Sequence, residues 1–234
     1  MLLMMLERGE PIHSVVFFDT GWEFPQMHKH LDKLEEHTGI KIVRLKPKKP
    51  FSYWLFEREV VARKGSNRGN VHRIGNGWPS PSRRWCTRQK VDALDKFTKA
   101  IDNPYQCIGY AADEAHRTEA KTLKAKQFCE FRFPLIEWDV DEAQALAYCR
   151  RHGFDWGGLY DHFRRVSCFC CPLKRLGELR TLRRNFPDQW ATMLEWDAKM
   201  PGHNRGFKDY DTVHDLEARF AEEDRQLTLP GVVA

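Results

Sequence analysis

Val15-Val16-Phe17-Phe18 is a run of four apolar residues with polar residues close on either side. Such a run, rich in β-branched and aromatic side chains, is the pattern of a strand buried on both faces of a parallel sheet. Behind it Phe24, His28, Leu31 and Leu34 recur at helical spacing and Gly39 ends the run, so the spacing predicts a helix over 25–37. Residues 41–45 alternate as a second strand. Trp54, Leu55, Arg58 and Val61 or Ala62 fall close to one helical face, which predicts a helix over 51–63. From 64 to 84 the pattern dissolves into Gly, Asn, Ser and Pro. That composition excludes a helix or a central strand, and a loop of this length is expected to be a functional lid or a disordered segment.

Order returns at Trp85-Cys86-Thr87, with a helix expected over about 89–100, a short strand at 106–109 and a polar turn at 112–117. A further strand is expected at 131–136, interrupted by Pro134 and therefore at its end. Asp139 with Glu142 three positions on reads as a capping box for a helix that Gly153 closes. From Leu173 two helices follow, separated near Phe186-Pro187, and 213–226 reads as a charged amphipathic helix. Strands alternate with helices up to about residue 138 and helices dominate thereafter. The expectation is an α/β domain over 1–138 and a helical, cysteine-bearing region over 139–234.

The chain has 234 residues, 41% of them hydrophobic and 12% aromatic, enough to bury one sizeable core. No apolar run is long enough to cross a bilayer. The opening Met1-Leu2-Leu3-Met4-Met5-Leu6 lacks the basic leader and small-residue cleavage site of a secretion signal. A cytoplasmic location is therefore expected. A net charge of +5 is compatible with a phosphorylated or nucleotide-like ligand. Seven cysteines, an odd number, argue against a disulfide scaffold and for metal, cluster or redox use of some of them.

Three polar segments carry candidate chemistry. Asp19, Thr20 and Gly21 follow the first strand, where ligands bind in open α/β sheets, though Asp and Gly serve ordinary turns equally well. Arg83, Arg84, Thr87, Arg88 and Lys90 gather cations and a hydroxyl at a helix start, a combination suited to phosphate or sulfate. The bland alternative there is a solvated basic helix end. Gly109, Glu114 and Arg117 again follow a strand. The strongest signal is Cys168-Phe169-Cys170-Cys171-Pro172, whose Cys168 and Cys171 have the C-x-x-C spacing that turns two thiolates onto one metal or cluster. Cys170 is a third ligand or a reactive thiol. Cys86, flanked by Arg84 and Arg88, is the expected further ligand or a thiolate of lowered pKa. Cys107, Cys129 and Cys149 read as core residues.

Taken together, these segments resemble the phosphoadenosine phosphosulfate (PAPS) reductase family within the adenine nucleotide α-hydrolase-like superfamily. The carriers are Phe18-Asp19-Thr20-Gly21 with Glu23-Phe24-Pro25, Arg84-Trp85-Cys86-Thr87 with Lys90, and Gly109 with Asp113-Glu114 and Arg117. Phe133-Pro134-Leu135, Trp138 and Cys168-x-x-Cys171-Pro172 complete them. The match is similar to the bacterial and phage-borne branch that ends in a cysteine cluster. The resemblance implies a doubly wound, mostly parallel sheet that binds an adenine nucleotide: PAPS, adenylyl sulfate (APS) or ATP. It implies Asp19, Thr20 and Gly21 beside the adenosine, and Arg83, Arg84, Thr87 and Lys90 facing phosphate or sulfate. Gly109, Glu114 and Arg117 would close the other side of the anion pocket.

The expected activity is thiol-based sulfonucleotide reduction or sulfur transfer, with Cys86 or Cys170 as nucleophile and a thiol electron donor as partner. An ATP-dependent sulfurtransferase that thiolates tRNA or DNA is the alternative, and a non-catalytic interaction module is a third reading. Cys86, Cys168, Cys170 and Cys171 are expected to hold an iron–sulfur cluster or zinc. The family's glycine-rich phosphate loop of the Ser-Gly-Gly-Lys-Asp-Ser type is absent, and residues 1–9 look like the helix that follows it. An N-terminally truncated α/β fold is expected, its first strand and phosphate loop missing through a miscalled start or a truncation. The Glu-Cys-Gly motif of assimilatory reductases is also absent, because residues 172–234 contain no cysteine.

Overall fold

The computed structural model describes residues 1–201 and 206–227. In chain order the elements are α1 (Leu2–Glu7), β1 (Val15–Phe18), α2 (Pro25–Thr38), β2 (Ile42–Leu45), β3 (Glu59–Val61), β4 (Val71–Ile74), α3 (Trp85–Thr98) and β5 (Tyr105–Cys107). After a 3-10 stretch at Ala112–Glu119 come α4 (Lys121–Lys124), β6 (Glu130–Arg132), α5 (Pro134–Glu137), α6 (Glu142–Arg151) and α7 (Leu159–His162). The helices α8 (Leu176–Asn185), α9 (Pro187–Lys199) and α10 (Val213–Leu227) complete the order. The fold is mixed α/β, as expected. Among the described residues the strands form three pairs: β1–β2 and β5–β6 are parallel, and β3–β4 is antiparallel. No helix among the described residues is long and apolar enough to cross a membrane.

The chain divides into two compact units. The first comprises residues 1–19, 25–45 and 90–160 and holds both parallel pairs. Val15 pairs with Ile42 and Phe18 with Leu45, and the ladder runs one step further as Asp19 N–H donates to Leu45 O at 2.7 Å. The Glu35 carboxylate of α2 accepts the Ile42 N–H at 2.8 Å, so the helix fixes where β2 begins. Leu3, Met4 and Met5 of α1 are buried, as are Phe18, Leu31 and Ile42. The second unit comprises residues 20–24, 46–89 and 161–234. Its core is aromatic: Trp22 meets Phe51, Trp85 and Trp196 with ring centroids 5.0–5.8 Å apart. Asp197, fully buried, accepts the Trp78 indole N–H at 3.2 Å and lies 2.8 Å from His214 Nδ1.

Several local expectations are corrected. Residues 51–63 do not form one helix: a wide π-type turn at Tyr53–Glu57 gives way to β3, and β4 lies inside the stretch expected to be a loop. The cause is tertiary. Gly75, Asn76 and Gly77 donate their N–H groups to the carbonyls of Arg58, Trp54 and Leu55, taking acceptors a continuing helix would have used. Gly75 is required there, since a Cβ would lie 2.4 Å from Leu55 O and its φ is +73°. The capping box belongs to Asp141 and Gln144 rather than Asp139 and Glu142. Gln144 N–H donates to Asp141 Oδ1 at 2.7 Å and Asp141 N–H to Gln144 Oε1 at 3.0 Å. Asp139 instead takes a positive φ of 53°. Residues 134–137 are helical, because Pro134 opens a helix as readily as it ends a strand.

His30 of α2 stacks on Trp156 at 4.5 Å and meets Phe154 edge-on at 5.5 Å. Burial, reinforced by Lys33 and opposed by Asp155, lowers its pKa from 6.5 to about 4. Between these values the unfolded chain binds a proton that the folded chain does not, so this packing loses stability as pH falls from 6.5 toward 4. Urea midpoints at pH 7 and pH 4.5 test this: His30→Phe should show a smaller acid-side loss than the parent. An identical loss in both proteins would remove His30 from the account.

Candidate functional site

The site begins where β1 ends. Gly21 turns the chain with φ +76°, and the next residues fold back onto the Glu23 carboxylate. Glu23 Oε2 accepts the N–H groups of Thr20 at 3.1 Å and Trp22 at 3.2 Å, and Oε1 accepts the Thr20 hydroxyl at 2.7 Å. Trp22 N–H is shared with Thr20 Oγ1 at 3.0 Å. Trp22 O then accepts the Phe169 N–H at 3.0 Å, tying this turn to the cysteine segment. Phe24, fully buried, packs against Phe163 and Phe186 at 5.3 and 5.0 Å. Polar bonds set the loop's conformation and aromatic burial holds it in place.

Four thiols gather in the same unit. Cys168 Sγ lies 3.5 Å from Thr20 Oγ1 and 3.8 Å from Glu23 Oε1. Cys171 N–H donates to Cys168 O at 3.2 Å, closing the turn that brings the two C-x-x-C side chains together. Cys86, in the first turn of α3, is close enough for its charge to act on Cys168 and Cys170 and for that of Cys171 to act on it. Trp85 beside it is anchored by its indole N–H on Gly77 O at 3.1 Å. No disulfide joins these cysteines.

Burial controls their chemistry. It pushes the Cys168 thiol up to about 12, assisted by the Glu23 carboxylate, and pushes Cys170 well above its ordinary value. Cys86 was expected to be a thiolate of lowered pKa between Arg84 and Arg88. Instead its pKa is raised by burial, which outweighs hydrogen bonds from Thr87. Arg84 and Arg88 are exposed, and Arg84 Nε turns to Pro81 O at 3.2 Å, so water screens their charge. Within this nest lies Lys174, only 3% exposed, whose ammonium is buried without a hydrogen-bond partner. It sits 4.0 Å over the Phe163 ring. Burial lowers its pKa, while Glu178 and the cysteines Cys171, Cys168 and Cys170 pull it back up.

The anion-binding residues expected from the sequence divide between the two units. Thr20, Gly21, Arg83, Arg84 and Thr87 belong to the second unit with the thiols, and Asp19, Lys90, Gly109, Glu114 and Arg117 to the first. Thr20 touches the thiol nest directly. Arg83, Arg84, Thr87 and Lys90 are exposed. Arg117 donates to Glu114 at 2.5 Å and lies 4.0 Å over the Tyr110 ring, so this pair carries no net charge. Cys107, Cys129 and Cys149 are half-buried thiols raised by burial. Sequence reasoning did not number Glu23 or Lys174 among the site residues. Glu23 was legible as an acid three residues after Thr20, a spacing that suits side-chain bonds back to a turn. Nothing in the sequence marks Lys174 as buried.

Glu23→Ala should leave the Thr20 N–H and hydroxyl without their acceptor, with Trp22 N–H held by Thr20 Oγ1 alone, and destabilise the fold by about 1–3 kcal/mol. Glu23→Gln, which retains an oxygen, should lose less. Urea denaturation of the two variants measures this, and equal losses would show that the carboxylate is not the organiser of the turn.

Comparison with known proteins follows the same residues. The family described as the phosphoadenosine phosphosulfate reductase domain matches residues 1–174. An uncharacterized protein of Methanocaldococcus jannaschii is 27% identical over 217 residues, 88% of this chain and 40% of the relative. An uncharacterized protein of Escherichia phage 186 is 24% identical, over 83% of this chain and 70% of its own length. A phosphoadenosine 5'-phosphosulfate reductase of Erwinia tasmaniensis is 21% identical, over 68% of this chain and 60% of its own. The chain spans about two fifths of the two Methanocaldococcus relatives it matches. No solved structure matches it. The matched span runs from α1 through the thiol nest to Lys174, and the chain therefore belongs to the phosphoadenosine phosphosulfate reductase family.

Proposed function

We propose that this chain binds an adenine sulfonucleotide, PAPS or APS, and couples it to thiol-based reduction or sulfur transfer. Its family makes an enzymatic role the expectation. The observation that carries the reading is the bonding of the turn after β1, through Thr20 and Glu23, to a nest of four thiols. In the first unit, Glu114 already neutralises Arg117, so the pull on a phosphate or sulfate falls to Arg83, Arg84 and Lys90. Thr87 adds a hydroxyl, and Asp19, Thr20 and Gly21 are assigned to the adenosine. At Gly109, in the first unit, an added Cβ would make only ordinary contact with Met1 Sδ at 3.7 Å.

By donor type the thiols suit an iron–sulfur cluster or zinc, although among the described residues no three of them bring their sulfurs within 4.8 Å of one another. Cys86, Cys168, Cys170 and Cys171 form an all-sulfur donor set, which suits either. Buried thiols of raised pKa stay protonated at neutral pH, and a bound cation reverses this by favouring the thiolate. Thiolate ligands leave excess negative charge, and the unpartnered Lys174 ammonium supplies a counter-charge within the nest. An iron–sulfur cluster would supply one-electron chemistry and zinc a structural clasp. Cys86 and Cys170 serve as ligands in a loaded protein and as nucleophiles in a metal-free one, not both at once. As a nucleophile, either would attack the sulfonate sulfur while the nucleotide leaves as its phosphate. An external thiol donor would then release sulfite.

A cavity of ≈ 270 Å³ in the first unit is lined by Val15 and Val16 of β1 and by Tyr105, Gln106 and Cys107 of β5. These two strands belong to separate parallel pairs.

Two measurements test the reading. Anaerobically purified protein should contain iron and sulfide, or zinc. Cys168→Ser and Cys171→Ser should lose the metal, and Lys174→Met should lower its retention. Protein with neither metal after reconstitution would remove the ligand assignment. Calorimetric titration with APS should show binding that Arg84→Gln with Lys90→Gln weakens roughly tenfold or more, since a hydrogen bond to a charged group contributes about 1.5–3 kcal/mol. Binding unchanged by the double variant would remove these residues from the anion site.

A further inference from the structure

The positive charge of this protein is concentrated in one stretch. Residues 46–89 carry eleven Lys and Arg against two Glu, a net +9. The rest of the chain, with 27 Lys and Arg against 31 Asp and Glu, is net −4. On α8, by contrast, the arginines are neutralised by acids of α10: Arg180 by Glu223, and Arg183 by Glu217 and Asp224. The β3–β4 hairpin differs. Its connecting loop carries Arg63, Lys64 and Arg68, all exposed, and none has an acidic partner among the described residues. The loop is nonetheless shaped by its own backbone, with Gly69 N–H donating to Ala62 O and Ala62 N–H to Asn70 O, each at 3.0 Å.

Two further observations separate this hairpin from an ordinary solvated surface. Val61, Val71 and Ile74 are 45, 49 and 44% exposed, so apolar side chains stand among the cations on a two-stranded ribbon. The guanidinium of Arg83 also lies close enough to Arg73 to help burial lower the Arg73 pKa, a like-charge approach that an anion would relieve.

We propose that the β3–β4 hairpin, with Arg63, Lys64 and Arg68 in its loop and Arg73 on β4, binds duplex DNA. Charge complementarity supplies the attraction, since a duplex carries a phosphate charge about every 1.7 Å along its axis. The geometry favours B-form DNA over A-form RNA. A two-stranded antiparallel ribbon fits the B-DNA major groove, about 12 Å wide, whereas the A-form major groove is too narrow for side chains to read. This inference does not depend on the sulfur chemistry or on the nucleotide site, because none of the three loop cations is assigned to either.

Fluorescence anisotropy with a labelled mixed-sequence DNA duplex, repeated from 50 to 200 mM salt, tests it. The parent should bind, with log affinity falling linearly against log salt. The variant Arg63→Gln/Lys64→Gln/Arg68→Gln should bind more weakly, its salt slope smaller by about 2.7 at about 0.9 per phosphate contact. Arg68→Gln alone should lower the slope by about 0.9. A control with the same change in net charge, Lys29→Gln/Lys96→Gln/Lys121→Gln, should keep the parent's slope. Titration with APS should be unaffected in the hairpin variant, which separates failure of this inference from failure of the nucleotide reading. Absence of DNA binding at 50 mM salt, an equal loss in the control, or tighter binding of an RNA duplex of the same sequence would each overturn the proposal.

Discussion

The architecture of the candidate site depends on one carboxylate. Glu23 accepts two backbone N–H groups and a hydroxyl from the turn that follows β1, and the Cys168 thiol lies 3.8 Å from it. Without that acceptor, the Thr20 N–H would be left unpaired in a part-buried turn, a cost comparable to a lost hydrogen bond, and Trp22 N–H would keep only its bond to Thr20 Oγ1. Trp22 and Phe24, on either side of it in sequence, are driven into the aromatic core of the second unit. The polar and apolar demands of five consecutive residues therefore agree on one conformation.

That conformation sets the chemistry of the sulfur nest. Thiols held away from water resist ionisation, and each neighbour that does ionise makes the next more costly. The nest accordingly has two self-consistent states: protonated, or, under the metal loading proposed above, deprotonated around a cation. Lys174 favours the second. A buried ammonium with no hydrogen-bond acceptor is costly in isolation, and this cost falls when thiolate charge surrounds it. The same four cysteines in an exposed loop would have no such preference.

Charge is partitioned as deliberately as apolarity. The C-terminal helices neutralise their arginines with acids, as Arg183 does with Glu217 and Asp224, and so use charge for internal cohesion. The hairpin leaves Arg63, Lys64 and Arg68 facing solvent, where they are available to an anion. In the first unit, sheet pairing is divided, with β1 and β5 each hydrogen-bonded on one side to a parallel partner and a cavity between them.

The sequence by itself determined the elements whose signals are local. β1 was legible as an unbroken apolar run, α2 from helical spacing closed by Gly39, and the break between α8 and α9 from Phe186-Pro187, because each needs no distant partner. The C-x-x-C spacing likewise marked Cys168 and Cys171 as members of one tight turn, which the Cys171 N–H to Cys168 O bond closes. The β3–β4 hairpin was not legible: its strands are three and four residues long, and carbonyls of the turn before it are bound by Gly75, Asn76 and Gly77. Nor could the Cys86 environment be read from its neighbours. Adjacent arginines suggested a lowered pKa, but whether a charge acts on a thiol depends on where its head group points and how much water intervenes. Burial is a collective property of segments distant in sequence, and only the tertiary structure decided that Cys86, Cys170 and Lys174 would share a desolvated nest while Arg84 and Arg88 stayed in solvent.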